Sequence, residues 1–414
     1  MSPFDPLGGD ENPFGDNPFG ELAKLFGALG IGGGSSDPWQ SAKQIANTVA
    51  SEGTSEPNLD PMVRMAVEDL ARVADLHVRQ VPGIRLPANT AVKAVSRATW
   101  TSESLDAYRP FFERFGEALG ASGGDQLPTD DPMAAMMGQM FASLGPAMVA
   151  ASAGSMIGHL GQRALGQYDL PVPRPGDDVL VVAMSVDAAA EEWGVPTDEL
   201  RLVVLVHELA THAVLSTPHV GKRMEDLFID FASAFRPDTD QIAERFSDIT
   251  DLSQIHELSE TLNDPEVILG MMRSPAHDLL VPQLDALVAA VIGFVDHAVT
   301  RACSTLVPSH ERIRSAMRER TLGVTPADRF MERLLGIEID ASTLRRADSF
   351  IAGVVERSGD AGLERLWADE LDLPTAAEVD APGLWLARIG LDPDLPAGTS
   401  IEIPDDLSEL DDLD

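Results

Sequence analysis

The chain has 414 residues, of which 44% are hydrophobic, enough for two or three domains or one large helical body with tails. Lys and Arg number 30 against 67 Asp and Glu, a formal net charge of −37. That balance argues against a nucleic-acid backbone or an anionic membrane as partner, because both need a basic surface. The single cysteine, Cys303, excludes an internal disulfide framework and a Cys-based zinc cluster, and it points to a reducing compartment, the cytoplasm.

The first residues, MSPFDPLGGDENPFG, lack the basic and apolar regions of a secretory signal. Residues 1–35 are rich in Gly, Pro and Asn and repeat Asn-Pro-Phe-Gly at 12–15 and 17–20. Such composition predicts a disordered tail, with Phe14 and Phe19 as the anchors of a docking motif in the sharper reading. Residues 60–79 carry a helical stripe of Val63, Ala66, Val67, Leu70, Val73 and Ala74. Residues 101–119 form another candidate helix, ended by the glycines at 120, 123 and 124. The run from Met133 to Ile157 is uncharged and contains Gly154-x-x-x-Gly158. Its Ala, Gly, Met and Ser content and the Gly145-Pro146 step predict a buried helical hairpin rather than a membrane span. Val179–Met184 reads as a short strand, introduced by Pro175-Gly176-Asp177-Asp178. Helical patterns follow at 242–262, 277–303, 309–320 and 342–358. From Leu391 to the end there are nine acids and no base, which predicts a second disordered, self-repelling tail over 391–414.

Chemistry concentrates in residues 196–220, PTDELRLVVLVHELATHAVLSTPHV. Thr197 is a suitable N-cap, Asp198 and Glu199 suit the positive end of a helix, and Pro218 is the predicted stop, giving a motif helix over 198–216. The helix is apolar nearly all round, so it is expected to be buried, and His207, Glu208 and His212 lie within it. Zinc peptidases use His-Glu-x-x-His, whose two histidines face one ion while the Glu polarises the bound water. Here the second His comes one residue late. Five residues turn about 140° on an α-helix, so His207 and His212 diverge unless a π-bulge intervenes. A satisfied core His-Glu pair is the plain alternative.

Several blocks resemble a family of actinobacterial zincin-like proteins, described as zinc-dependent metalloproteases or hydrolases and in part linked with deazaflavin cofactor biosynthesis. The blocks are Ala94–Trp100 (AVSRATW), Leu165–Pro171 (LGQYDLP), Asp198–Leu202 (DELRL), Gly293–His297 (GFVDH), Leu366-Trp367 and Leu373–Ala376 (LPTA). The resemblance spans about residues 35 to 390. It implies a mainly α, multi-helix zincin-like body over 36–390, with a short β element before the motif helix. A gap-free match puts His207 on the first zinc ligand, Glu208 on the catalytic Glu, Thr211 on the second ligand and Ile292 on the third. Neither Thr211 nor Ile292 suits zinc.

Two functions follow as expectations. In the first, the metal site is degenerate, zinc is absent or weakly held, and the protein is an inactive intracellular scaffold or regulator of a protein or peptide partner. In the second it is an active zinc hydrolase or peptidase with shifted ligands His207, His212 and either Asp296 or His297, and Glu208 as general base. A membrane association through 133–158 is the third and least favoured reading. Without zinc, Glu208 is expected to meet a basic partner or to stay protonated in apolar packing.

Overall fold

The computed structural model describes residues 37–54, 56–124, 132–236, 270 and 272–391, with side chains described outside 119–144, 326 and 327. Apart from Leu391, the two expected tails and the helix expected over 242–262 lie outside these residues. The described chain is mainly α, with one two-stranded sheet.

Helix α1 (Pro38–Ala50) opens with Asp37 accepting the Trp39 N–H and proline at its first position. Helix α2 (Pro61–Val78) is capped in the same way by Asp60. Its buried stripe is Val67, Ala71, Ala74 and Val78, rotated from the one expected: Val63 and Leu70 are only half-buried and Val73 is exposed. Strand β1 (Ala91–Val95) leads into α3 (Arg97–Gly124) and α4 (Pro132–Arg163). Pro146 lies inside α4, so the expected hairpin is one continuous helix; proline removes one backbone donor there without ending the run.

The glycines of α4 make its main contact. A Cβ on Gly154 would stand 2.4 Å from the Ala42 carbonyl oxygen, and one on Gly158 would stand 2.6 Å from the Val49 Cβ. Ala42, Ala46 and Ala50 present the facing side of α1 and are fully buried. The small-xxx-small pattern thus serves close packing of two helices inside the protein.

Strand β2 (Asp178–Val182) pairs in parallel with β1, Ala91 opposite Asp178 and Val95 opposite Val182. It stops short of the expected Met184 because Ala183 begins α5 (Ala183–Trp193). The motif helix α6 (Thr197–Leu215) follows. Pro196 takes the N-cap position expected of Thr197, and no side chain caps this end. Pro218 does not stop α6; it opens α7 (Pro218–Ser233), bent 85° from α6. Helix α8 (Ala276–Cys303) packs against α6, α7 and α11 (Ala341–Ser358). Between α8 and α11 run α9 (His310–Leu322) and α10 (Pro326–Leu334). Three short helices, α12 (Asp360–Leu366), α13 (Ala376–Asp380) and α14 (Pro382–Arg388), bring Trp367 and Trp385 into the core.

Helix α6 touches α2, α5, α7, α8, α9 and β2. It is the hub of the fold, which explains why every residue from Leu200 to Leu215 except His207 is buried. Helix α8 is long and apolar enough to cross a membrane, but 56% of its apolar window is buried against the other helices.

Candidate functional site at the motif helix

Helix α6 is a regular α-helix through residues 207–212, without the π-turn that would align the two histidines. His207 and Glu208 line a cavity between α6, α8 and α9. His212 is not among its lining residues. It is fully buried, with Nδ1 2.8 Å from the Tyr168 hydroxyl and 3.3 Å from the Ser216 hydroxyl. Burial holds the His212 imidazole below its ordinary pKa. His297 is also absent from the cavity lining; it is half-buried, its Nε2 without a partner among the described residues, in the field of Arg301 and Asp360.

The segment 165–169 wraps over the motif helix. The Tyr168 N–H donates to Glu208 Oε2 at 2.8 Å, and the Trp100 indole N–H donates to the Gly166 carbonyl at 2.7 Å. The Val182 N–H donates to the Leu165 carbonyl, and Gly166 bridges Val181, which ties the segment to the edge of β2. A Cβ on Gly166 would lie 2.4 Å from Glu208 Oε1, so only glycine allows this approach. The other carboxyl oxygen of Glu208, Oε1, lies 3.3 Å from His207 Nδ1. Burial pushes the Glu208 carboxyl above its usual range, opposed by His207 and by the Tyr168 N–H. No Arg or Lys is bonded to Glu208 among the described residues; the polar partners of its buried carboxyl are the Tyr168 N–H and His207.

The position expected for the second ligand, Thr211, donates its hydroxyl to the His207 carbonyl at 2.8 Å. Ile292 is a hydrophobic wall of the cavity. Asp296 does face the cavity, and it is held by two arginines: Arg314 Nη2 at 2.7 Å and Arg318 Nη2 at 3.1 Å. Arg318 also reaches Asp348 at 2.5 Å, and Arg320 pairs with Asp169 at 2.6 Å. Among the described residues no three His, Cys, Asp or Glu side chains are grouped to hold one metal ion.

No motif singles out these arginines. The signal was present in residues 311–320, ERIRSAMRER, where Arg314 and Arg318 are one turn apart in a chain of strong net negative charge. Tyr168 and Asp169 lie in the LGQYDLP segment, but nothing in their types announces that they meet the motif helix.

The profile of the zincin-like metallopeptidase family matches residues 38–386, nearly all of the described body. The chain belongs to that family. A crystal structure of a candidate hydrolase with a novel fold from Chloroflexus aurantiacus is similar, with a TM-score of 0.57 and 18% identity over 85% of this chain and 98% of that one. At that identity the likeness shows the fold alone. No curated protein matches. The matched range includes the motif helix and the cavity lined by His207 and Glu208.

Proposed function

We propose that this zincin-like chain is a non-catalytic member of its family, with a degenerate metal site, acting as an intracellular scaffold or regulator. The observation that carries the reading is the regular course of α6, which sends His207 to the cavity and His212 to Tyr168. The donor set at the cavity does not fit zinc. One imidazole is present, Thr211 and Ile292 replace ligand types, and Asp296 is already neutralised by Arg314 and Arg318. The narrower kinship with actinobacterial, deazaflavin-linked members rests on the 94–100 and 165–171 blocks. Cytoplasmic residence rests on the one cysteine, Cys303, whose thiol is buried and pushed up to about 12.

The rival reading, a zinc hydrolase, draws on one observation: His207 and Glu208 share the cavity. Metal analysis of the purified full-length chain separates the two. After mild chelation it should hold less than about one tenth of an equivalent of zinc, because an incomplete ligand set loses most of the binding energy. Stoichiometric zinc, lost equally on His207→Ala and His212→Ala, would overturn the non-catalytic reading.

A further inference from the structure

Besides the two motif residues, the cavity at α6 has an apolar floor and a rim of arginines paired with aspartates. Val203, Val291, Ile292, Val295, Met317 and Leu344 line a volume of about 130 Å³. An apolar cavity of ~150 Å³ accepts benzene, so the space suits about six non-hydrogen atoms. Arg314, Arg318 and Arg320 stand on the lining, against Asp169 and Asp296 of opposite charge. Each arginine leaves part of its donor fork unpaired. Arg318 bonds through Nη2 alone, and its Nε and Nη1 have no protein acceptor among the described residues. Among the described residues Arg320 likewise bonds only through Nη2, and Arg314 has no acceptor for Nη1. The arginine side chains are 19–33% exposed, so they meet both the cavity and solvent. Such a layout, an apolar body with a few convergent polar groups, is that of a ligand site.

We propose that this cavity binds a small branched aliphatic carboxylate, its hydrocarbon between α6 and α8 and its carboxylate on the free N–H groups of Arg318 and its neighbours. The chemistry is shared by a free acid and by the aliphatic C-terminal residue of a peptide. Guanidinium groups pair with carboxylates through two parallel hydrogen bonds, which gives direction as well as attraction. The proposal rests on the non-catalytic reading of the same site, since a zinc ion would claim the ligand's carboxylate.

The test uses calorimetric titration of the full-length chain with 4-methylpentanoate, with its amide 4-methylpentanamide, and with N-acetyl-Ala-Leu as free acid. Zinc is measured on the same samples. The acid should bind at least tenfold more tightly than the amide. Arg318→Met should weaken acid binding by at least tenfold while leaving the amide unchanged. Ile292→Phe, which fills the cavity from a half-buried position, should abolish both. Binding by 4-methylpentanoate but not the dipeptide assigns a free-acid site; binding by the dipeptide with equal or greater affinity assigns a peptide C-terminus. If acid and amide bind alike, or neither binds the folded protein at millimolar concentration, the proposal falls. Should stoichiometric zinc be found, the non-catalytic reading falls by itself; carboxylate binding that then vanishes on chelation would sink this proposal too, and binding that persists would leave it standing.

Discussion

Glu208 shows how one buried carboxyl is accommodated without a cation. Its Oε2 accepts the Tyr168 N–H and its Oε1 faces His207. A glutamine keeps an acceptor for the Tyr168 N–H and carries no charge to desolvate. Glu208→Gln should therefore change stability by less than about 1 kcal/mol, since a neutral hydrogen bond is retained. Glu208→Ala leaves the Tyr168 N–H unpaired and opens a void beside Gly166. It should cost roughly 2–4 kcal/mol. Urea unfolding of the two variants measures the difference; equal losses would mean that the charge, not the acceptor, is what the fold uses. The spacing of His207 and His212 foretold their divergence because helix geometry is local. Ser216 lies one turn from His212 and Glu208 follows His207 directly, but Tyr168 was not legible as a partner of His212, since it arrives only when the 165–169 segment folds back over α6.

At the scale of elements, the seam between α1 and α4 is set by backbone approach. Gly158 has the Val49 side chain and the Ala46 carbonyl within 2.8 Å of where a Cβ would sit. Gly158→Leu must separate the helices or distort them. A loss of about 3 kcal/mol or more is expected, at the upper end for overpacked cores. Gly145→Ala, with nothing within 4 Å, is the control and should be neutral or slightly stabilising, as alanine favours a helix by up to ~1 kcal/mol over glycine. Thermal melts of the pair test this, and a Gly158→Leu protein as stable as wild type would remove the close-packing account. The long periodic helices α2, α8 and α11 could be read from the sequence within a few residues, because their apolar spacing is strong. Strand β1 could not: AVKAV is short and half-exposed, and its pairing is with a partner far along the chain. Helix α4 was misread as a hairpin because proline propensity is local, whereas the packing of Gly154 and Gly158 on α1 holds the helix straight through.

At the scale of the whole molecule, several carboxyls are buried in a chain of net charge −37. Glu332 is 2% exposed, and burial raises its carboxyl to about 7, with Arg329 opposing; Asp285 is raised by burial to about 6. Unfolded, such groups titrate near 4. Between about pH 4 and 7 the native state therefore holds protons that the unfolded state has released, so this contribution to stability is complete at the acid end and is lost as pH rises. His212 and His277, both lowered by burial, act in the opposite direction below about 6.5. A difference experiment isolates the carboxyl. Relative to Glu332→Gln, the wild type should lose on the order of 3 kcal/mol between pH 4.5 and 7.5, and parallel stability curves for the two proteins would contradict the raised value. The parallel sheet carries another consequence, for synthesis. Strand β1 pairs with β2 alone among the described residues, and α3 and α4 lie between them in the chain. A ribosome adding 5–20 residues per second needs roughly ten seconds to travel from one strand to the other. During that interval β1 has no edge to join, so the nascent chain should recruit holding factors until residues 178–182 leave the exit tunnel, and a stall placed just before them should leave the emerged half sensitive to protease.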